Sequence, residues 1–184
     1  GLSLPEAATG VPAAGQTRFS LVKGQLAVEN LNGSLAGQKV SAKGRIDLSS
    51  AVPTMTGAVT LEELDLDWLT ESVVGSVYDA ASGALSEAPL SAVALPFGLD
   101  LDLTVARFWP GVAEAVTEVR GKLRNNAGEL SLEDLSGQWL GGKATGRLSV
   151  ANTDGNGFMQ ARIDLADADL ARALNALRMD RAIA

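Results

Sequence analysis

Apolar and polar residues alternate along several stretches of the chain, which is the pattern of a β-strand with one buried face. The clearest stretch is "GLDLDLTVARF", residues 98–108. The predicted buried side of this strand carries Leu99, Leu101, Leu103 and Val105. The opposite side carries Asp100, Asp102 and Thr104, because successive side chains of a strand point to opposite faces. The following "WPG" ends the strand, since proline cannot donate to a ladder.

The same period of two recurs on both sides of this segment. Before it come "TRFSLVKGQLAV", with a glycine turn at Gly24, then "QKVSAKGRIDLSS" and "TMTGAVTLEEL". After it come "VAEAVTEVRGKLR", "ELSLEDLSGQWL", "GGKATGRLSV" and "FMQARIDL". In the first of these later segments, Ala115, Val119 and Leu123 are predicted to lie opposite Glu114 and Glu118. The intervening "NNAG" and "NTDGNG" are typical of hairpin turns.

Two stretches of the chain are alike: "QLAVENLNGSLAGQKVSAKGRIDL" from Gln25 and "ELSLEDLSGQWLGGKATGRLSV" from Glu129. Without a gap, Leu26, Val28, Leu31, Gly33, Gly37 and Lys39 match Leu130, Leu132, Leu135, Gly137, Gly141 and Lys143. After a two-residue deletion Gly44 and Arg45 match Gly146 and Arg147, and later Leu61, Asp65 and Leu66 match Leu165, Asp169 and Leu170. In both copies the apolar spacing changes from two to three, at Val28–Leu31 and Leu132–Leu135. This change predicts a bulge or strand-to-turn break that flips the apolar face in each copy of a repeated unit.

Each copy is predicted to end in a short amphipathic helix. Following Asp65 or Asp67, a good N-cap residue, Leu66, Leu69, Val73 and Val77 recur at helical spacing. Following Asp167, the same spacing relates Leu170, Ala173, Leu174 and Leu177, and Arg178 and Arg181 suit a helix C-terminus. The chain then divides into a tail or linker at residues 1–16, a first β unit with its helix at 17–80, a connector at 81–97 and a second unit at 98–181. The predicted fold is mainly β: one curved antiparallel sheet, an open trough, built from two related units as a single continuous domain.

Composition narrows the classes of function. Of the 184 residues 46% are hydrophobic and 20% charged, which indicates an ordered chain with a sizeable core. A net charge of −7 argues against nucleic acid as a partner, because neutralising phosphates needs a surplus of Lys and Arg. The chain has no Cys and no His, which excludes disulfides and removes the commonest metal ligand and general base. No apolar run is long enough to span a bilayer, and the start at Gly1 suggests a piece of a longer protein.

Two candidate chemical sites are weak. Asn152, Asp154, Asn156 and Gly157 fit the first positions of a calcium loop, but Ile163 stands where the bidentate Glu belongs, so a turn is favoured. Asp100 and Asp102 share one strand face, where a solvated surface is favoured over a pair of acid–base carboxylates. We therefore expect no enzyme activity, no cofactor and no metal.

The order of motifs resembles the repeat of AsmA-like proteins, whose relatives include TamB. The resemblance rests on Leu130, Leu132, Leu135, Gly141, Gly142, Lys143, Gly146 and Arg147, followed by Asp167, Asp169 and Leu170. It covers most of residues 17–177, and the motif consists of common residues at a loose spacing. The copies diverge, because Gln38 stands where the second copy has Gly142, and Ala171 where the first has Asp67.

The resemblance implies a periplasmic segment of an inner-membrane-anchored envelope protein of Gram-negative bacteria. Its apolar β-sheet groove would support phospholipid transport towards the outer membrane, or assembly of that membrane. The candidate groove lining is Leu99, Leu101, Leu103, Val105, Val119, Leu123, Leu130 and Leu132. Candidate partners are phospholipid acyl chains, neighbouring repeats of the same chain and outer-membrane assembly proteins.

Two other interpretations stay open. The module could act on outer-membrane protein assembly by pairing its strand edges, without conducting lipid. Alternatively, the two helices and the curl of the sheet could fill the trough and leave an ordinary packed core.

Overall fold

The computed structural model describes residues 13–35, 37–66, 68, 97–126, 129–153 and 156–176. They form one sheet of nine strands, ordered in space as they follow in the chain. The strands are β1 Ala13–Val22, β2 Gln25–Leu35, β3 Gln38–Asp47, β4 Thr54–Asp65, β5 Gly98–Trp109, β6 Val116–Asn126, β7 Glu129–Trp139, β8 Gly142–Thr153 and β9 Asn156–Ala166. A short helix, α1, spans Leu170–Ala176. The prediction of a mainly β fold is confirmed.

The sheet is mostly antiparallel, but β4 and β5 run parallel. This junction differs from the wholly antiparallel sheet that we predicted. Antiparallel neighbours can follow one another through a tight turn, whereas a parallel neighbour requires the chain to cross back along the sheet. The chain between Asp65 and Gly98 is long enough for that crossing. The sheet is open, because within the described residues β1 pairs only with β2 and β9 only with β8.

Tight turns join β1 to β2 and β7 to β8. Lys23 and Gly24, between β1 and β2, both have positive φ angles, of 50° and 79°, and so do Leu140 and Gly141, between β7 and β8, at 54° and 81°. Two successive residues with positive φ form a type I′ turn, whose twist matches that of the flanking strands. Gly24 was expected to form a turn, and this is confirmed. Ala127 and Gly128 of "NNAG", and Asp154 and Gly155 of "NTDGNG", lie outside the described residues.

Both predicted irregularities are β-bulges. The ladder between β2 and β3 shifts between Val28 and Leu31, and the ladder between β7 and β8 shifts between Leu132 and Leu135. Val28 pairs with Gly44 and Leu31 with Ala42, two residues on the same side of β3. The expectation that the apolar face flips is therefore wrong, because the extra residue of each bulge restores the face.

Most pairing registers of the first four strands recur in the last four; the exceptions are Thr117–Gln138 and Lys122–Glu133 in the ladder between β6 and β7. Adding 104 to both numbers of the pair Val40–Leu61 gives the pair Ala144–Leu165. The same addition converts Val28–Gly44 into Leu132–Leu148 and Gln16–Asn32 into Arg120–Ser136. Matching Gly44 to Gly146 in the sequence required a two-residue deletion. The ladders do not contain this deletion, because Gly44 pairs with Val28 whereas Gly146 pairs with Leu135, so the two glycines are not at equivalent positions.

Some element boundaries differ from the sequence prediction. β1 begins at Ala13, inside the predicted tail, because Ala13 to Gly15 pair with Leu35 to Gly33 of β2. Only Leu66 and Trp68 of the first predicted helix are described, both helical, and the connector at 81–97 lies outside the described residues except for Phe97. Leu177, Arg178 and Arg181 of the second predicted helix also lie outside them.

Aspartates cap both helical segments. Asp65 Oδ1 accepts a hydrogen bond from the Trp68 backbone N–H at 3.1 Å, which confirms Asp65 as an N-cap. At α1 the cap is Asp169, whose Oδ1 accepts from the N–H groups of Ala171 and Arg172 at 2.8 and 3.2 Å. Asp167, the predicted cap, instead has a φ of 58° in the bend after β9.

We predict that Asp169→Ala lowers the free energy of unfolding by about 1 kcal/mol, because it leaves N–H groups at the start of α1 without an acceptor. Asp169→Ser keeps an acceptor oxygen and should retain most of the stability. Urea unfolding followed by circular dichroism measures both variants. Equal destabilisation by Ala and Ser would contradict the assignment of the cap.

Candidate functional site: one apolar face of the sheet

Partners in neighbouring strands share a face of the sheet, so the registers trace rows of side chains across all nine strands. Four such rows consist almost entirely of apolar residues and glycine, and together they define the apolar face. The first row is Leu21, Leu26, Ile46, Met55, Leu99, Asn125, Leu130, Val150 and Met159. The second is Phe19, Val28, Gly44, Gly57, Leu101, Leu123, Leu132, Leu148 and Ala161.

The third and fourth rows cross the bulge between β6 and β7, where the ladder is interrupted. There the continuity follows from close approach: a Cβ on Gly121 would meet the Leu135 side chain, and one on Gly137 would meet Val119. The third row is Thr17, Leu31, Ala42, Val59, Leu103, Gly121, Leu135, Gly146 and Ile163. The fourth is Gly15, Gly33, Val40, Leu61, Val105, Val119, Gly137, Ala144 and Leu165.

The structure brings all eight residues of the predicted groove lining onto this face, on the central strands β5, β6 and β7. Five of them are buried: Leu101, Leu103, Val105, Val119 and Leu132. Val105, at 0% exposure, is in the middle of the core. The remaining three, Leu99, Leu123 and Leu130, are partly exposed. The centre of the apolar face is therefore a packed core.

In three adjacent strands, β4, β5 and β6, a change of face near one end turns further apolar side chains into the core. The apolar spacing is three between Leu61 and Leu64, between Val105 and Phe108 and between Val116 and Val119. Leu64 pairs with Phe108 and Phe108 with Val116, and all three pack in the core. We predicted Ala115, rather than Val116, on the face of Val119 and Leu123. That prediction is wrong, because Glu118 adopts a φ of 55° and turns Val116 inwards.

Both margins of the apolar face are open. On β1, Phe19 and Leu21 are 66% and 62% exposed, and on β9 Ile163 is 61% exposed, with Met159 and Leu165 also accessible. Burying one side chain of this size is worth roughly 1.5–3 kcal/mol. These residues are not among the eight predicted to line the groove, although the alternation in "FMQARIDL" places Met159, Ile163 and Leu165 on one face.

A hollow of the apolar face lies beside Trp68. A cavity of about 120 Å³ is lined by residues of the rows, including Leu123, Leu132 and Leu148, together with Trp68. An apolar cavity of about 150 Å³ is large enough to hold a benzene molecule. In the second row Gly44 and Gly57 pair with each other and contribute no side chain. A Cβ added to Gly57 would lie 2.6 Å from the Gly44 Cα, so the closeness of the two strands requires glycine there.

The opposite face of the sheet is charged. Asp100 lies 3.6 Å from Arg124, Asp102 lies 3.7 Å from Lys122, and Arg124 also binds Glu133 at 2.6 Å. Asp100 and Asp102 are exposed, as predicted for a solvated strand face. The described residues contain no group of acidic residues placed to hold a metal ion. Asp154, of the segment that we weighed as a calcium loop and interpreted as a turn, lies outside the described residues.

Two exposed charged groups show shifted pKa values. Hydrogen bonds to Asp164, and the charge of that carboxylate, raise the pKa of Arg162. Hydrogen bonds from the Ser49 hydroxyl and backbone N–H, at 2.6 and 2.9 Å, hold the pKa of Asp47 below its ordinary value. Both contacts join residues two apart in the chain and stabilise the charged form.

Helix α1 is fastened at the end of the sheet where β4 and β9 terminate. The Asp169 N–H donates to the carbonyl of Leu140 at 2.8 Å, and Arg172 binds Glu114 at 2.6 Å. Trp139 Nε1 donates to the Glu114 carbonyl at 3.1 Å, so the same loop holds the strand β7 and the helix. No helix among the described residues is long and apolar enough to cross a bilayer.

Comparison of the chain with protein-family models, with curated proteins and with solved structures found no match. The geometry of the apolar face and its open margins is therefore the basis for assigning a function.

We predict that the centre and the margin of the apolar face differ in their effect on stability. Leu101→Ala, at 4% exposure, should lower the free energy of unfolding by about 2–5 kcal/mol because it leaves a cavity. Leu21→Ala, the matched change at the margin, should cost less than about 1 kcal/mol. Urea denaturation of both variants measures the difference, and similar losses would contradict an open margin.

Proposed function

We propose that this chain is a non-catalytic segment of an AsmA-like protein that supports phospholipid transport towards the outer membrane, or assembly of that membrane. The observation that carries the proposal is the apolar face itself, which continues over nine strands and is open at both margins. The segment would lie in the periplasm of a Gram-negative bacterium, as part of an inner-membrane-anchored protein. In this proposal the sheet is curved into an open trough, with the apolar face on its concave side.

The trough needs only hydrophobic contact to hold an acyl chain. Each buried CH₂ group contributes about 0.8 kcal/mol, so a lipid tail laid along a few strands would be held without any catalytic group. The accessible side chains of β1 and β9 provide the contact, and the headgroup would remain in water. Because the rows run across the strands, an acyl chain could pass from one strand to the next over similar apolar surfaces.

We also propose that the sheet contains two related four-stranded units, residues 13–65 and 117–169, with β5 between them. Support comes from the pairing registers, most of which are related by a difference of 104 over three successive ladders. Each unit ends at a capping aspartate, Asp65 or Asp169. Repetition of one unit is an economical way to extend an apolar face of constant width.

A second function is favoured by a different observation, the open edges of β1 and β9. Such an edge presents unpaired backbone groups that can pair with a strand of another protein. In this alternative the module assists or modulates outer-membrane protein assembly by strand-edge pairing, and its apolar face serves only as a core.

A photoreactive amino acid placed on either face tests the proposal. We predict that benzoylphenylalanine at Ile163 crosslinks to phosphatidylethanolamine in mixed vesicles at least about tenfold more than at Gln160, which points to the polar face of the same strand. Mass spectrometry of the crosslinked protein measures the lipid adduct. On β1, Phe19 lies on the apolar face and Ser20 on the polar face, so this pair of positions provides an independent comparison.

Equal labelling of both faces, or no labelling at Ile163 and Phe19, would contradict lipid binding in the trough. Absence of labelling combined with capture of partner strands at β9 would instead favour the strand-edge alternative.

A further inference from the structure

The outer edge of β9 is an available template for another strand. Within the described residues β9 pairs only with β8, and every residue from Phe158 to Asp167 is exposed. Natural proteins usually protect an open edge with a bulge, a proline or inward-pointing charge. The β8–β9 ladder instead runs without a register shift from Lys143–Ala166 to Thr153–Asn156. The edge is therefore regular over its whole length.

The pairing of β4 with β5 inside the sheet indicates which kind of strand can pair with the edge of β9. β4 corresponds to β9 in the two proposed units, and the outer side of β4 is covered by β5 in parallel register. Met55, Val59 and Leu61 lie beside Leu99, Leu103 and Val105 of β5. Adding 104 to the β4 numbers gives Met159, Ile163 and Leu165, so β9 presents the same apolar spacing to a neighbour.

Charges at the same edge specify the direction and register of that neighbour. At the β4–β5 junction Glu63 forms an ion pair with Arg107, and Asp167 stands at the corresponding position beyond β9. Ala58 is the partner of Asp102, and Arg162 stands at the corresponding position of β9. A strand like β5 would therefore place its aspartate beside Arg162 and its arginine beside Asp167. Opposite charges next to each other stabilise a strand pair, whereas like charges destabilise it.

We propose that the open edge of β9 binds an extended segment of the β5 kind, in parallel, with the residue equivalent to Leu103 beside Ile163. The occupant has apolar residues at alternating positions, an acidic residue next to Arg162 and a basic residue next to Asp167. This inference rests on the two related units of the proposed function, and it does not require that the apolar face binds lipid. The bound strand would extend all four apolar rows by one position.

The absence of natural cysteine allows a test by disulfide trapping. The protein carries Ile163→Cys, and the probe is a synthetic 12-residue peptide with the β5 sequence of Gly98–Trp109. Three peptides carry cysteine in place of Leu101, Leu103 or Val105. Neighbouring strands lie about 4.8 Å apart, within the Cα separation that a disulfide spans, whereas a shift of two residues adds about 7 Å along the strand. We therefore expect the Leu103→Cys peptide to crosslink about tenfold faster than the other two.

The control protein carries Val52→Cys, an exposed apolar residue in the loop between β3 and β4. It should crosslink slowly and without preference among the peptides. A second variant, Arg162→Glu combined with Ile163→Cys, should lose the preference, and a peptide that also carries Asp102→Lys should restore it.

Three results would overturn the proposal: equal rates for all peptides, no crosslink at Ile163, or a disulfide-linked dimer of the protein in place of the peptide adduct. The dimer would assign the edge to a second copy of the chain. None of these results bears on lipid crosslinking at Phe19, so the strand site and the lipid trough can fail separately.

Discussion

The structure depends on keeping apolar side chains on a single face across nine strands. A strand alternates its faces at every residue, so one extra residue moves all later side chains to the other side. β2 and β7 each contain one such extra residue, and in each strand a β-bulge accommodates it next to a position with apolar partners. Leu31 and Leu135 return to the apolar face in this way. The bulges are therefore part of what makes the face continuous.

The continuous face has a packed centre and accessible margins. Val105 is fully buried among the side chains of β4, β6 and the core around them, which anchors the sheet. In β1 and β9 the side chains of the same rows are exposed, and large side chains such as Phe19 and Ile163 face solvent. The cost of this exposure is offset by the core, and the exposed rows are suited to bind an apolar ligand. The charged opposite face, with Arg124 between Asp100 and Glu133, gives the sheet its single apolar side.

The sequence predicted strand positions well where alternation was strict. The face of each residue of "LDLDLTV" in β5 was predicted correctly, since its strict alternation permits only one assignment of faces. The faces of β6 were not predicted correctly. Glu118 adopts a positive φ angle, which changes the face of the residues before it, and the apolar spacing of the sequence does not reveal this change. The parallel junction of β4 and β5 could not be derived either, since the order of strands in space is set by long-range packing. Aspartates were expected as caps, but choosing between Asp167 and Asp169 requires knowing where β9 ends.

Of the candidate site, the sequence predicted the central residues and missed the accessible ones. Leu101 and Leu103 belong to the apolar face as expected, but their burial could not be read from a pattern, because alternation gives the face and says nothing about what covers it. The two similar stretches were visible in the sequence, whereas the difference of 104 between their pairing registers emerged only from the ladders, because the matched Gly44 and Gly146 occupy different positions in them.

The apolar face is exposed at its margins, packed at its centre and backed by a polar face, and we propose that lipid binds at the margins. Methyl resonances of the labelled protein, recorded with a doxyl-labelled fatty acid, test all three parts at once. We expect strong broadening of the Leu21, Met159 and Ile163 methyl signals, with the Val105 and Thr104 signals preserved. Broadening of Thr104, on the polar side of β5, as strong as that of Ile163 would contradict the proposal.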